Sequence, residues 1–152
     1  MYAILVSLLI ASTAITIPTP AAKNAKTSTD FERFQGEWVV VECETEDGVS
    51  MHSPYEKELG STIRFEKETA RAIECGIEVA GWRGSTFTLN PTTKVKRIEI
   101  QFTRDGVRQT RRGIYSFEDD TLVVYLGDSR PTSLTAKPGS GDIILRLKRP
   151  ML

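Results

Sequence analysis

Apolar and polar residues alternate one by one in several short segments of this chain. The clearest alternation covers residues 97–102, where Ile98, Ile100 and Phe102 are separated by polar side chains. A period of two predicts a β-strand with one face buried and the other in water. Related patterns predict seven further strands, at residues 34–43, 62–66, 70–74, 77–89, 109–118, 121–126 and 142–148. The strand at 77–89 is long, and we expect it to bulge or bend at Gly81 and Gly84.

Turn residues separate these segments at short intervals. Asp47-Gly48 and Asp105-Gly106 are typical of tight turns. We interpret residues 49–60 as a loop, with a helical turn at 54–59 as an option, and residues 130–136 as extended. Short strands with no long helix favour an all-β fold, a single antiparallel meander β-barrel of about eight strands over residues 33–150.

Gly36 and Trp38 open the first strand and are predicted to be structural. Glycine tolerates a bend in the backbone, and a tryptophan can bury about 150–250 Å². We therefore expect Trp38 to close one end of the barrel. Before it, residues 30–34 are predicted to form a helical turn capped by Asp30, with an extended approach as the alternative.

The alternation also predicts which side chains form the inner wall. We expect the apolar positions of the strands to face the interior, namely Ile63, Phe65, Ile98, Ile100, Phe102, Ile143, Leu145 and Leu147. Their polar neighbours Arg97, Glu99 and Gln101 are then expected to face water.

Three polar residues are candidates for ligand binding inside the barrel. If Trp38 points inward, so does Glu42, and if Tyr115 points inward, so does Arg111. Glu42, Arg111 and Tyr115 would then orient a ligand carboxylate or amine in an apolar cavity. The alternative, that they pair with one another or reach the rim, stays open.

The first 22 residues carry no charge and include an apolar run at residues 3–10 followed by small residues. This composition predicts a signal peptide over 1–22, cleaved after Ala14 or Ala22, and the run is too short for a membrane span. Residues 23–32 have the composition of a flexible linker. We expect an exported protein, periplasmic or secreted, with no membrane span after cleavage.

Charge and motif content narrow the classes of function. Twenty basic residues balance twenty acidic ones, which disfavours nucleic acid as a partner. The one histidine, His52, has no nearby cysteine or second histidine, so no metal site is predicted. No cofactor motif or nucleophile motif is present, and we expect a protein that is not an enzyme.

The two cysteines, Cys43 and Cys75, raise the question of a disulfide in an exported chain. In a simple meander they reach the same rim with one strand between them. Second-neighbour strands lie about 10 Å apart, beyond the roughly 7 Å Cα separation that a bridge allows. We expect two separate thiols, with the bridge as the alternative.

Residues 34–149, about three-quarters of the chain, resemble the planctomycete lipocalin-like domain family. The carrying motifs are Gln35-Gly36-x-Trp38, Leu89-Asn90-Pro91, Gly113-Ile114-Tyr115, Asp120-Thr121-Leu122, Arg130-Pro131-Thr132, Lys137-Pro138-Gly139-Ser140-Gly141 and Leu145-x-Leu147-Lys148-Arg149. The family has no established activity, so the resemblance implies fold and export and transfers no catalytic residue. Lipocalin-like barrels commonly stack a late arginine on this tryptophan, which implies a structural role for Arg146 or Arg149.

These observations lead to two functional hypotheses. The first is an exported, non-catalytic barrel that binds a small apolar or amphipathic molecule. The alternative is a protein-interaction module of the periplasm or cell envelope, such as an inhibitor, which would use its loops and keep a filled barrel. A cavity of a few hundred Å³ would favour the first hypothesis.

Overall fold

A computed structural model describes residues 29–51, 61–74, 77–78 and 80–151. The predicted signal peptide, most of the predicted linker, His52 and the optional helical turn at 54–59 lie outside these residues. The elements in chain order are α1 (Asp30–Phe34), β1 (Gly36–Thr45), β2 (Gly48–Met51), β3 (Ser61–Glu66), β4 (Thr69–Glu74), β5 (Ile77–Glu78), a 3₁₀-helix (Ala80–Trp82), β6 (Ser85–Asn90), β7 (Arg97–Arg104), β8 (Val107–Glu118), β9 (Thr121–Gly127) and β10 (Ile143–Lys148).

Eight of the strands form a closed antiparallel barrel. The order around the ring is β1-β3-β4-β6-β7-β8-β9-β10, so these eight strands follow one another around the barrel in the order of the chain. The last strand closes the ring against the first, with Val39 opposite Lys148 and Cys43 opposite Leu145. The predicted all-β meander barrel of about eight strands is confirmed, and it is a lipocalin-like architecture.

Two short strands add to the barrel without belonging to its ring. β2 continues from β1 in a hairpin, and β5 pairs with the end of β4. The interpretation of residues 49–51 as loop is therefore wrong, because the hairpin gives their backbone a partner. The prediction of one strand over 77–89 that bulges or bends at Gly81 and Gly84 is also wrong, since the 3₁₀-helix Ala80–Trp82 divides this segment into β5 and β6.

The interior contains the side chains that the alternation placed there. Ile63, Phe65, Ile98, Ile100, Leu145 and Leu147 are buried. Phe102 and Ile143 are only half-buried because they line a cavity at one end. Arg97 is exposed as expected, whereas Glu99 and Gln101 are partly covered by neighbouring side chains.

Helix α1 fills the other end, which we call the closed end. Phe34 is fully buried and packs edge-on against Phe65, Tyr115 and Phe117, with ring centroids 5.1, 5.0 and 5.4 Å away. Thr29 caps the helix in a capping box with Glu32, so the predicted capping by Asp30 is wrong. Residues 30–32, assigned to the linker from composition, are part of this helix.

A second, smaller apolar cluster lies outside the barrel. Ile114, Val123, Tyr125 and Ile144 face outward from β8, β9 and β10, and Leu134 covers them. The segment between β9 and β10 therefore folds across the outer wall. Residues 130–136 include a turn rather than the expected extended run.

No helix within the described ranges is both long enough and apolar enough to cross a membrane.

Candidate functional site

The end of the barrel opposite α1, which we call the open end, contains a cavity of about 610 Å³. It lies among the ends of β7, β8, β9 and β10 and beside the 3₁₀-helix. Its described lining has an apolar part and a polar part: Gly81, Trp82, Ile100, Phe102, Leu126 and Ile143, with Arg104, Gln109, Arg111 and Asp128.

Trp82 forms part of the apolar wall at the mouth. The 3₁₀-helix that carries it contacts both β4 and β7, so it lies across the open end. Gly84, with φ of +70°, lets the chain turn from this helix into β6. The half-buried indole packs against the edge of the barrel core.

Gly113 lies two residues from Arg111 on β8, opposite the buried Ile98. A Cβ atom there would lie 2.3 Å from the carbonyl oxygen of Tyr125 and 2.8 Å from the Leu126 side chain. It would also lie 3.0 Å from the side chain of Ile98. Because glycine leaves this space free, Ile98 and Leu126 close the interior between the cavity and the aromatic closed end.

Arg111 is the half-buried cation of the cavity. It lies opposite Ile100 in the β7–β8 ladder, and its Nη1 donates a hydrogen bond to the carbonyl oxygen of Gly141 at 3.0 Å. This bond holds the guanidinium at the turn before β10. Among the described residues, Arg111 forms no ion pair with a carboxylate.

The other charged groups of the lining lie nearer to water. Arg104 has its Nε 3.9 Å from Asp105 Oδ2, and the two side chains are 70% and 94% exposed. Asp128 is exposed as well. Exposed charges of this kind are strongly hydrated, so Arg111 dominates the electrostatics of the cavity.

Tyr115 belongs to the closed end. It shares the inner face of β8 with Arg111, but four residues further along the strand. Its hydroxyl donates a hydrogen bond to Asp30 Oδ2 at 2.9 Å, and Lys96 Nζ donates to the same oxygen at 2.8 Å. Burial, the hydrogen bond to Asp30 and the charge of Asp30 raise the pKa of Tyr115. Tyr115 therefore joins α1 to the barrel and does not line the cavity.

Glu42 lies on the outer face, so its predicted inward orientation is wrong. The β1–β10 register shifts between Val40 and Glu42, which makes Val41 an extra residue in β1. After this bulge Cys43, not Glu42, packs against the core. Glu42 Oε1 instead accepts a hydrogen bond from Arg146 Nε at 3.1 Å.

The arginine that stacks on Trp38 is Arg149, not Arg146. Arg146 alternates with the buried Leu145 and Leu147, so it points outward, where Nη1 also lies 3.3 Å from Glu118 Oε2. Arg149 follows β10 and lies over the indole at 3.9 Å.

The three residues predicted to bind a ligand lie at three separate locations. Glu42 is on the outer face, Arg111 is in the cavity and Tyr115 is at the closed end.

The cysteine question stays a prediction. Cys43 is partly buried, and burial raises the pKa of its thiol. Cys75 lies outside the described residues. Within the ranges that are described, no three His, Cys, Asp or Glu side chains lie close enough to hold a metal ion.

A second recess, of about 310 Å³, lies on the outer wall of β6 and β7. It is lined by polar side chains: Thr88, Asn90, Arg97, Glu99 and Arg130. Arg130 donates to Glu99 Oε1, and Arg112 Nε lies 3.9 Å from the same oxygen. This ion pair fastens the segment between β9 and β10 to the outer wall.

Sequence reasoning missed several of the cavity residues. Trp82 was assigned to a strand with a bulge or bend at Gly81 and Gly84, so an irregular backbone was expected there but not the 3₁₀-helix that brings Trp82 to the mouth. Gln109 shares the inner face of Arg111 and was open to the same alternation argument. Asp128 and Gly141 lie in turns, for which the sequence has no periodic signal.

No family model, no curated protein and no solved structure matches this chain. The resemblance to the planctomycete lipocalin-like family therefore stays a prediction that rests on the sequence motifs.

Proposed function

We propose that this chain is an exported lipocalin-like protein that binds a small apolar or amphipathic molecule in the cavity at the open end of the barrel, without catalysis. One observation carries the proposal, which is the cavity of about 610 Å³. Small-molecule sites typically enclose roughly 300–1,000 Å³ with mostly apolar walls and a few polar groups. The lining has this composition.

The shape of the interior supports binding at one end only. The closed end is filled by Phe34 and the aromatic rings around it, and Ile98 and Leu126 are fully packed below the cavity. At the open end, Phe102 and Ile143 keep part of their apolar surface uncovered. Covering that surface with a ligand is favourable by about 25 cal/mol per Å².

The alternative, a protein-interaction module, expects a barrel filled by its own side chains. In a filled barrel only the loops would be left as a functional surface. The open end of this barrel instead contains a cavity, which favours the ligand proposal over the alternative.

Binding of a neutral fluorescent probe tests the proposal. We expect N-phenyl-1-naphthylamine to bind at a single site with an increase in fluorescence. The Ile143→Trp variant, which fills the cavity, should lose binding, whereas the matched control Thr103→Trp on the exposed outer face of β7 should retain it. Absence of probe binding to the unchanged protein, or equal binding to both variants, would contradict the proposal.

Export is part of the same proposal and has its own test. It is supported by the charge-free, apolar leader and by the family resemblance. The amino terminus of protein recovered from its own source should follow Ala14 or Ala22. An intact leader on protein found inside the cell would contradict export.

A further inference from the structure

We propose that the molecule held in the cavity carries a carboxylate, which pairs with the guanidinium of Arg111. This inference rests on the proposed function and adds to it the sign and type of the head group. It depends on Arg111 being the only half-buried charge in the described lining.

The hydrogen bonding of Arg111 leaves most of its donors available. A guanidinium has five N–H donors, and one contact is made to the carbonyl oxygen of Gly141. A carbonyl oxygen satisfies one donor but does not neutralise the charge. A carboxylate does both, because its two oxygens match the fork of the guanidinium.

The apolar part of the lining indicates where the rest of the ligand lies. Arg111 is opposite Ile100 in the ladder, and Leu126 is opposite Ile143 on the next pair of strands. The charge thus sits beside a wall of aliphatic side chains, with Trp82 and Phe102 toward the mouth. In such surroundings an ion pair is stronger than in water. An alkyl chain would cover the aliphatic wall while its carboxylate reaches Arg111.

A cationic head group fits the cavity less well. The carboxylate of the lining is Asp128, which is exposed, and ion pairs with exposed partners contribute little. A cation placed beside Arg111 would also be repelled by it. Because Arg111 is half-buried and Asp128 is exposed, the cavity should bind an anionic head group more tightly than a cationic one.

Three amphiphiles with the same ten-carbon chain test the inference: decanoate, decanol and decyltrimethylammonium. Each is titrated against the protein carrying bound N-phenyl-1-naphthylamine, and displacement gives its affinity. We expect decanoate to bind at least about ten-fold more tightly than decanol, as expected for a hydrogen-bonded charge pair. Decyltrimethylammonium should bind more weakly than decanol.

Variants assign the preference to Arg111. Arg111→Gln should bring the affinity for decanoate to within about three-fold of the affinity for decanol, both measured on that variant. The control is Arg108→Gln, because Arg108 is exposed, lies opposite Thr103 on the outer face of the barrel and does not line the cavity; this variant should keep the full preference. Arg111→Lys retains the positive charge, so it should keep part of the preference and provides a second variant if Arg111→Gln fails to fold.

The outcomes separate this inference from the proposed function. Equal binding of decanoate and decanol to the unchanged protein, tighter binding of the cation, or an unchanged preference in both Arg111 variants would overturn the inference alone. Failure of all three amphiphiles and of the reporter to bind would overturn the proposed function itself.

Discussion

The guanidinium carbon of Arg149 lies 3.9 Å from the centroid of the Trp38 ring, and Arg149 Nη2 donates a hydrogen bond to the carbonyl oxygen of Arg33 at 2.7 Å. The indole Nε1 in turn donates to the carbonyl oxygen of Phe34 at 2.7 Å. One arginine from the end of the chain thus joins the first strand to helix α1. Cation–π contacts of this kind contribute about 0.5–2 kcal/mol.

Gly36 makes room for this contact, which leads to a first prediction. Its φ is +99°, and a Cβ atom there would lie 2.9 Å from Arg149 Nη1. We expect Gly36→Ala to lower the free energy of unfolding by more than the roughly 1–2 kcal/mol that a left-handed backbone alone costs. Urea unfolding measures the loss.

Gly106→Ala is the matched control for that prediction. Gly106 also has a positive φ, of +75°, but a Cβ atom there would meet nothing within 4 Å. It therefore reports backbone strain without displacement of an arginine. Equal losses in the two variants would show that the contact between Gly36 and Arg149 contributes nothing.

The two tryptophans are predicted to separate stability from binding. Trp38 is 4% exposed at the closed end, so Trp38→Ala should cost about 3–5 kcal/mol in the free energy of unfolding. Trp82 is half-buried at the cavity, so Trp82→Ala should cost less but should weaken binding of N-phenyl-1-naphthylamine. Thermal unfolding and probe titration of both variants test this, and the reverse assignment of the two effects would refute it.

The Asp30–Tyr115 pair predicts a dependence of stability on pH. Burial raises the pKa of Asp30, but hydrogen bonds from Lys96 and Tyr115 and the charges of Lys96 and Arg33 outweigh it, so the pKa is lowered overall. A lowered pKa in the folded state stabilises the protein above the unfolded-state pKa, near pH 4, and this contribution is lost as the pH falls below it.

Asp30→Asn isolates this contribution. The difference in the free energy of unfolding between the unchanged protein and the variant should be constant from pH 5 to 7 and should shrink below about pH 4. Tyr115→Phe, which removes a hydrogen bond to a charged group, should cost about 1.5–3 kcal/mol at neutral pH. A difference that does not change with pH would contradict the role assigned to Asp30.

The outer ion pair of Glu42 and Arg146 is predicted to matter little for stability and nothing for ligand binding. Both side chains are partly exposed, at 24% and 37%. Glu42→Gln should lower the free energy of unfolding by no more than about 1 kcal/mol and should leave the affinity for decanoate unchanged. A loss of decanoate binding in this variant would place Glu42 inside the barrel after all.

Sequence reasoning succeeded where a period of two repeats along a strand. It placed Ile98, Ile100 and Leu147 in the interior and led to the barrel, because burial of one face dictates that pattern. It failed at Glu42 because a single extra residue reverses every later side chain of the strand. No local signal in a run of three valines marks which of them is extra.

The candidate site was less accessible to the same reasoning. Arg111 was found from alternation, and four residues of one strand separate it from Tyr115. Which of the two ends of the barrel is filled depends on where α1 packs, which is a tertiary contact. Trp82 reaches the cavity through an irregular segment, and the carbonyl oxygen of Gly141 reaches Arg111 from a turn. Such positions follow from the packing of turns against the barrel rather than from periodicity.

A ligand is expected to occupy the open end of the barrel, and amide chemical-shift mapping tests this claim most directly. Titration of the ¹⁵N-labelled protein with N-phenyl-1-naphthylamine should shift the amide signals of Trp82, Ile100, Arg111 and Ile143, while those of Trp38 and Tyr115 stay in place. The absence of shifts, or shifts confined to the closed end or to the outer recess at Glu99 and Arg130, would contradict the claim.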